Sequence, residues 1–138
     1  RDEMQRSLCE MIVSGIFERF PELTMVGAEG GINYAAVMEQ RLDSGYSGFW
    51  GKLDHGLTMK PSEYFARNCF VGTEADEAEL HYVVDSSGNQ NIVFSSDYPH
   101  HDSEFPGSVK DFLTNDKLTD ETKRAVLWDN CARLYALG

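Results

Sequence analysis

The chain is short of positive charge. Its 12 Lys and Arg face 23 Asp and Glu, a formal net charge of −11. A nucleic-acid backbone or an anionic bilayer surface is bound through clustered basic residues, so both classes of partner are excluded. Cysteine is scarce. Cys9, Cys69 and Cys131 are widely spaced and odd in number. No Cys-x-x-Cys occurs, which removes a disulfide framework, a zinc knuckle and a thioredoxin-like motif, and leaves three core thiols. No apolar run approaches the roughly 18 residues of a membrane-spanning helix. The opening Arg1-Asp2-Glu3-Met4-Gln5-Arg6 is charged, unlike a signal peptide. These features predict a reduced, soluble, cytoplasmic protein. Nucleophile elbows, Walker and Rossmann glycine patterns, EF-hand loops and His-Glu-x-x-His are missing too, which argues against acyl-transfer, nucleotide-binding and calcium-sensing functions.

What is present suffices for a core. The 138 residues are 41% apolar and 12% aromatic, which fits one folded unit over 1–138 rather than an acidic disordered tail. Apolar spacing predicts a helix over 2–20, ended by Pro21, because the residue before a proline avoids helical geometry. A short apolar strand over 23–28 runs into Glu29-Gly30-Gly31. A helix over 33–42 follows, then an irregular glycine- and aromatic-rich stretch over 43–62, and a helical turn over 61–68. A strand is expected at 69–72, and a helix over 73–84 with Glu74, Asp76 and Glu77 in its first turn, where the helix dipole favours anions. The third strand is 91–95. Helices over 106–113 and from Thr119 to about Leu137 complete the chain. Alternating helices and strands imply α/β architecture, with a parallel sheet and right-handed crossovers. Three strands are few for such a sheet, which suggests an incomplete unit.

The densest polar cluster is Ser95-Ser96-Asp97-Tyr98-Pro99-His100-His101-Asp102. It follows a predicted parallel strand, and parallel α/β proteins bind ligands at that end. Asp and His suit zinc or manganese, and a carboxylate there can instead orient or deprotonate a bound water. The alternative for Asp97 is an Asx turn before Tyr98-Pro99. Successive side chains of an extended segment point to opposite faces, so at most one of His100 and His101 turns inward. Glu29 ends the first strand in the equivalent position and is either a second mouth carboxylate or a plain turn residue. His55 lies in the glycine–aromatic stretch, where a solvated His is the alternative. His81 reads as a surface residue.

Five segments in order resemble a known family. They are Gly15-Ile16-Phe17-Glu18-Arg19-Phe20-Pro21-Glu22-Leu23; Ala28-Glu29-Gly30-Gly31; Lys60-Pro61-Ser62-Glu63-Tyr64-Phe65 with Asn68; Phe94-Ser95-Ser96-Asp97-Tyr98-Pro99-His100 with Asp102; and Asn130-Cys131-Ala132-Arg133-Leu134-Tyr135. Together they resemble the C-terminal part of the amidohydrolase-2 family, related to aminocarboxymuconate-semialdehyde decarboxylase. The resemblance implies strands six to eight, with their helices, of a metal-dependent (β/α)8 barrel. It implies that Asp97 is the metal-ligand aspartate after strand eight and touches the metal-bound water. Glu29, His55 and His100 are then substrate-binding or supporting groups. Glu29 fills a slot where several decarboxylase members carry His, so hydrolysis and non-oxidative decarboxylation of a small-molecule substrate both stay open. A full barrel needs about 250 residues, and the family's His-x-His pair and strand-five His do not occur here. The expectation is a segment inactive alone, whose zinc or manganese is held in the complete protein. The alternative is a non-catalytic α/β module of the same origin that self-associates into a homo-oligomer.

Overall fold

The computed structural model describes residues 2–28, 30–48 and 56–137. The expected first helix is two helices, α1 (Asp2–Val13) and α2 (Ile16–Arg19). Gly15 separates them at φ +72, in the left-handed region that glycine enters without steric cost. Leu8 and Ile12, four residues apart on one face of α1, are fully buried, as is Phe17 of α2.

The three strands are β1 (Met25–Gly27), β2 (Cys69–Thr73) and β3 (Ile92–Phe94). They form one parallel sheet in the order β1-β2-β3, with Val26 opposite Phe70, and Val71 opposite Ile92. This is the α/β parallel arrangement expected of part of a barrel. β2 lies centrally and is buried along its whole length, which explains its unbroken apolar run. One face of the sheet packs under the helices through Cys69, Val71 and Ile92. The other carries Val26, Phe70, Gly72 and Val93. Phe70 and Val93 are buried, whereas Val26 is 37% exposed. The Arg133 guanidinium sits 4.9 Å from the Phe70 ring centroid.

Gly27 faces the helices, and a Cβ there would come within 2.7 Å of the Tyr34 hydroxyl and 3.0 Å of Leu8. Close approach therefore requires glycine at this strand end. α3 (Tyr34–Ser47) is a turn longer than its sequence pattern indicated. α4 (Pro61–Asn68) is a full two-turn helix. Glu63 accepts from the Lys60 amide at 2.7 Å, and Asp43 of α3 accepts from the Ser62 amide and hydroxyl at 2.9 and 2.7 Å.

The helix expected over 73–84 begins later. α5 is Leu80–Ser87, and turns precede it. The Glu77 carboxylate explains the shift. It accepts from the Thr73 hydroxyl at 2.7 Å, the Glu74 amide at 3.2 Å and, from the turn after β1, the Ile32 amide at 2.8 Å. These bonds hold the chain in a turn where a helix would otherwise start.

α6 (Ser108–Thr114) buries Phe112. α7 (Asp120–Arg124) is capped by Thr119, whose hydroxyl accepts from the Thr122 amide at 3.1 Å. A π-helical turn over Ala125–Asp129 leads into α8 (Asn130–Leu134). Thr122, Val126 and Asn130, each four residues on, form the buried row of this end. The Asn130 amide donates to the carbonyls of Asn89 and Ile92 at 2.6 and 2.7 Å, which ties the last helix to β3.

Candidate active site

The C-terminal ends of β1, β2 and β3 share one end of the sheet, and the polar cluster lies there. The Ser95 amide donates to the Thr73 carbonyl at 2.8 Å and extends the β2–β3 ladder to the base of the loop. Ser95 and Ser96 then turn back on the loop they begin. The Asp97 amide donates to the Ser95 hydroxyl at 3.2 Å, and the Ser103 hydroxyl donates to the Ser96 carbonyl at 2.6 Å. Asp97 adopts φ +56, a conformation that Asp tolerates better than most side chains. Its side chain is only 13% exposed.

His100 returns over Asp97. Its amide donates to the Asp97 carbonyl at 2.9 Å. Its Nδ1 lies 2.9 and 3.0 Å from the two carboxylate oxygens. His101 is 97% exposed beside the solvated Asp102, so only one of the adjacent histidines reaches Asp97. The Tyr98 and Phe105 rings pack at 4.7 Å on the outer side of the loop. Both Tyr98–Pro99 and Phe105–Pro106 are cis.

Among the described residues, Asp97, His100 and Asp102 can place three metal-ligating atoms within 4.8 Å of one another. An O, N, O donor set fits zinc or manganese. A small cavity of about 60 Å³ adjoins it, lined in part by Glu74, Ser95, Ser96 and Asp102. Burial pushes the Glu74 carboxyl above its ordinary value, and the nearby Asp97, Asp76, Glu77 and Asp102 charges push the same way. Carboxylates crowded without a cation repel one another and gain from one when it binds.

Sequence reasoning missed Glu74 and Glu77, which looked like dipole-stabilising acids of a helix start. The only cue was Thr73 immediately before them, a hydroxyl poised to bond a side chain rather than extend a strand. Glu29 and His55 lie outside the described residues. His81 sits on α5 with its Nδ1 2.9 Å from the Ala78 carbonyl, away from the mouth.

The profile of the amidohydrolase family matches residues 1–137. The chain belongs to the amidohydrolase family. It is 24% identical over 143 residues to the 2-amino-3-carboxymuconate-6-semialdehyde decarboxylase of Dictyostelium discoideum, covering 95% of this chain and 36% of that protein. Among solved structures it resembles 5-carboxyvanillate decarboxylase from Sphingomonas paucimobilis, at 29% identity and a TM-score of 0.72, over 94% of this chain and 38% of that one. It also shares the fold of a dihydroxybenzoic acid decarboxylase from Polaromonas sp. JS666, solved with bound manganese and the inhibitor 2-nitroresorcinol. That match has 18% identity and a TM-score of 0.77, and covers 96% of this chain and 40% of that one. The chain thus spans well under half the length of these relatives.

Proposed function

We propose that residues 1–138 are one partial-barrel segment, strands six to eight with their helices, of a metal-dependent amidohydrolase-family enzyme that removes carbon dioxide non-oxidatively from a small aromatic carboxylate. The observation that carries this reading is Asp97 itself. It is a nearly buried carboxylate in left-handed backbone geometry at the C-terminal end of the third parallel strand, overlaid by His100. Decarboxylation is favoured over hydrolysis because the named relatives are decarboxylases.

Asp97, with His100 or Asp102 beside it, would hold the metal, and preceding strands of the complete enzyme would supply further histidines. A bound divalent ion supplies Lewis-acid polarisation of the oxygens it touches. The chain's own groups prepare that place. With its proton on Nδ1, His100 donates to Asp97 and fixes the carboxylate's orientation. Ser95 and Ser96 fix the backbone beneath it. Glu29 and His55 are assigned to the substrate from their positions in the sequence. The enzyme would be a homo-oligomer without nucleic-acid or membrane partners. No helix among the described residues is long and apolar enough to cross a membrane.

A second reading has its own support. Val26 is exposed on the inner face, and β1 and β3 each pair on one side only among the described residues. Such a piece could act as a self-associating, non-catalytic module.

Metal analysis and carbon dioxide release separate the two. The enzyme with its preceding strands should retain about one zinc or manganese and decarboxylate a hydroxybenzoate. Asp97→Ala should lose most of the metal and about a hundredfold in rate, the upper end of the roughly 10–100-fold cost of removing even a supporting partner of a metal ligand. The 138-residue chain alone should bind the ion weakly. A longer protein that holds no metal, or an Asp97→Ala variant with unchanged metal content, refutes the enzymatic reading.

A further inference from the structure

Glu74 stands at the mouth without a structural task. Strand alternation sets its direction. Cys69 and Val71 of β2 point into the helical layer, so Phe70 and Gly72 point the other way. Thr73 turns back towards the helices, where its hydroxyl donates to Glu77 at 2.7 Å. Glu74 follows and turns to the face that a barrel encloses, at its C-terminal end. There it is half-buried, and the Asp97 charge acts on its carboxyl. With Ser95, Ser96 and Asp102 it lines the cavity of about 60 Å³ beside the Asp97 loop. The Glu74 backbone is fully engaged: its amide donates to the Glu77 carboxylate at 3.2 Å, and its carbonyl accepts from the Thr73 hydroxyl at 3.4 Å. Its carboxylate accepts no hydrogen bond from any described residue. No Lys or Arg is among the residues lining the cavity, and Asp76, Asp102 and Glu104 add charge of the same sign.

We propose that Glu74 sets the substrate specificity of this site: its carboxylate accepts a hydrogen bond from a hydroxyl or amino substituent on the substrate ring, and its charge rejects a second carboxylate there. The inference rests on the decarboxylase reading for the reaction, and it narrows the substrate class to hydroxy- or amino-substituted monocarboxylates. A hydroxyl or amine supplies the donor that the Glu74 carboxylate lacks. The cavity suits one small substituent rather than a whole ring, since ligand pockets begin at about 300 Å³. The substrate's own carboxylate is turned away from this wall, because like charges repel it. Attraction of the donor and repulsion of the anion thus fix one orientation of the ring. Metal ligation suits Glu74 less well. The close ligand atoms belong to Asp97, His100 and Asp102, and Glu74 is not among them.

The test uses the manganese-loaded enzyme with its preceding strands. Calorimetric binding and carbon dioxide release are measured for hydroxybenzoates, aminobenzoates, methoxybenzoates, benzoate and isophthalate. The parent should bind the donor-bearing acids about 10–100-fold more tightly than benzoate or the methoxybenzoates, the worth of a hydrogen bond to a charged group. Isophthalate should bind least. The tighter of the hydroxyl and amino series identifies the donor.

Glu74→Leu should lose this preference while holding as much manganese as the parent. Glu74→Gln keeps a carbonyl acceptor without the charge, so it should retain part of the preference and admit isophthalate. Both variants should melt at or above the parent's temperature, because the side chain they replace bonds no described residue and sits among like charges. The proposal fails if the parent binds benzoate as tightly as the hydroxy and amino acids, or if Glu74→Leu keeps the preference. It also fails if Glu74→Leu loses manganese as Asp97→Ala does, since Glu74 is then a ligand. A binding preference that follows Glu74, without carbon dioxide release from any of the acids, overturns the decarboxylase reading and leaves the recognition of the donor in place.

Discussion

At the level of single residues, Glu39 and Asp97 show how place decides what a carboxyl does. Asp97 sits where its oxygens meet His100. Glu39 lies among apolar and hydroxyl groups that compensate it incompletely. Its native carboxyl keeps its proton up to about 7, whereas an ordinary one loses it near 4.5. Between those values the folded state binds more protons than the unfolded, so stability falls as pH rises through that window. Glu39→Gln should remove this part of the slope. At about pH 8 the variant should be more stable than the parent by about 1 kcal/mol, a discounted figure because the group keeps partial contact with water. Urea melts of both chains at about pH 5 and about pH 8 are the check. Parallel pH profiles would show that Glu39 ionises normally. The sequence offered no sign of this. Glu39 lies in a segment with ordinary helical spacing, and its burial depends on α4 and α5, whose approach no local pattern encodes. Asp97 was legible because its neighbours Tyr98, Pro99 and His100 form a distinctive run after an apolar strand.

At the level of elements, the three strands were legible within one or two residues at each end, because each is a short apolar run closed by turn residues. Three helix boundaries were not, and one of them is the end of α3, which runs about a turn past its apolar pattern. The helix expected over 2–20 runs through Gly15, yet the chain uses that glycine's left-handed freedom to turn α1 into α2. The acids before α5 looked like a helix start, because the dipole rule treats Glu74, Asp76 and Glu77 alike. Only the fold shows that Glu77 has partners in Thr73 and Ile32, the latter 45 residues away. Glu77 therefore couples the turn after β1 to the end of β2, beside the candidate site. Glu77→Ala should cost about 2–3 kcal/mol, since three donors lose a charged acceptor and the Ile32 amide is left without one. Amide exchange at Ile32 and Glu74 should accelerate more than exchange along β2. Uniform acceleration over the whole chain would mean that Glu77 only adds general stability.

At the level of the whole molecule, the sheet formed by the described residues does not close on itself. β1 and β3 each have one paired side among the described residues, and the helix-distal face presents Val26 at 37% exposure. Rows of unpaired backbone groups template pairing with another chain. The large negative charge opposes this, but exposed charges more than about 10 Å apart are screened at moderate salt, whereas backbone pairing is not. The isolated 138-residue chain should therefore sediment as a monomer at low salt and micromolar concentration, and associate reversibly as salt is raised to physiological strength. Val26→Lys places a charge on the edge strand and should return it towards monomer, with little cost to folding because the side chain is already partly in water. A chain that stays monomeric at high concentration and physiological salt would mean that its edges are covered from within. The two proposed roles predict different behaviour once strands one to five are attached. In the enzyme those strands occupy the edges, so Val26 becomes buried and Val26→Lys becomes strongly destabilising. In a self-associating module no such change occurs. The stability of Val26→Lys in the longer protein thus discriminates between the two readings without requiring a substrate.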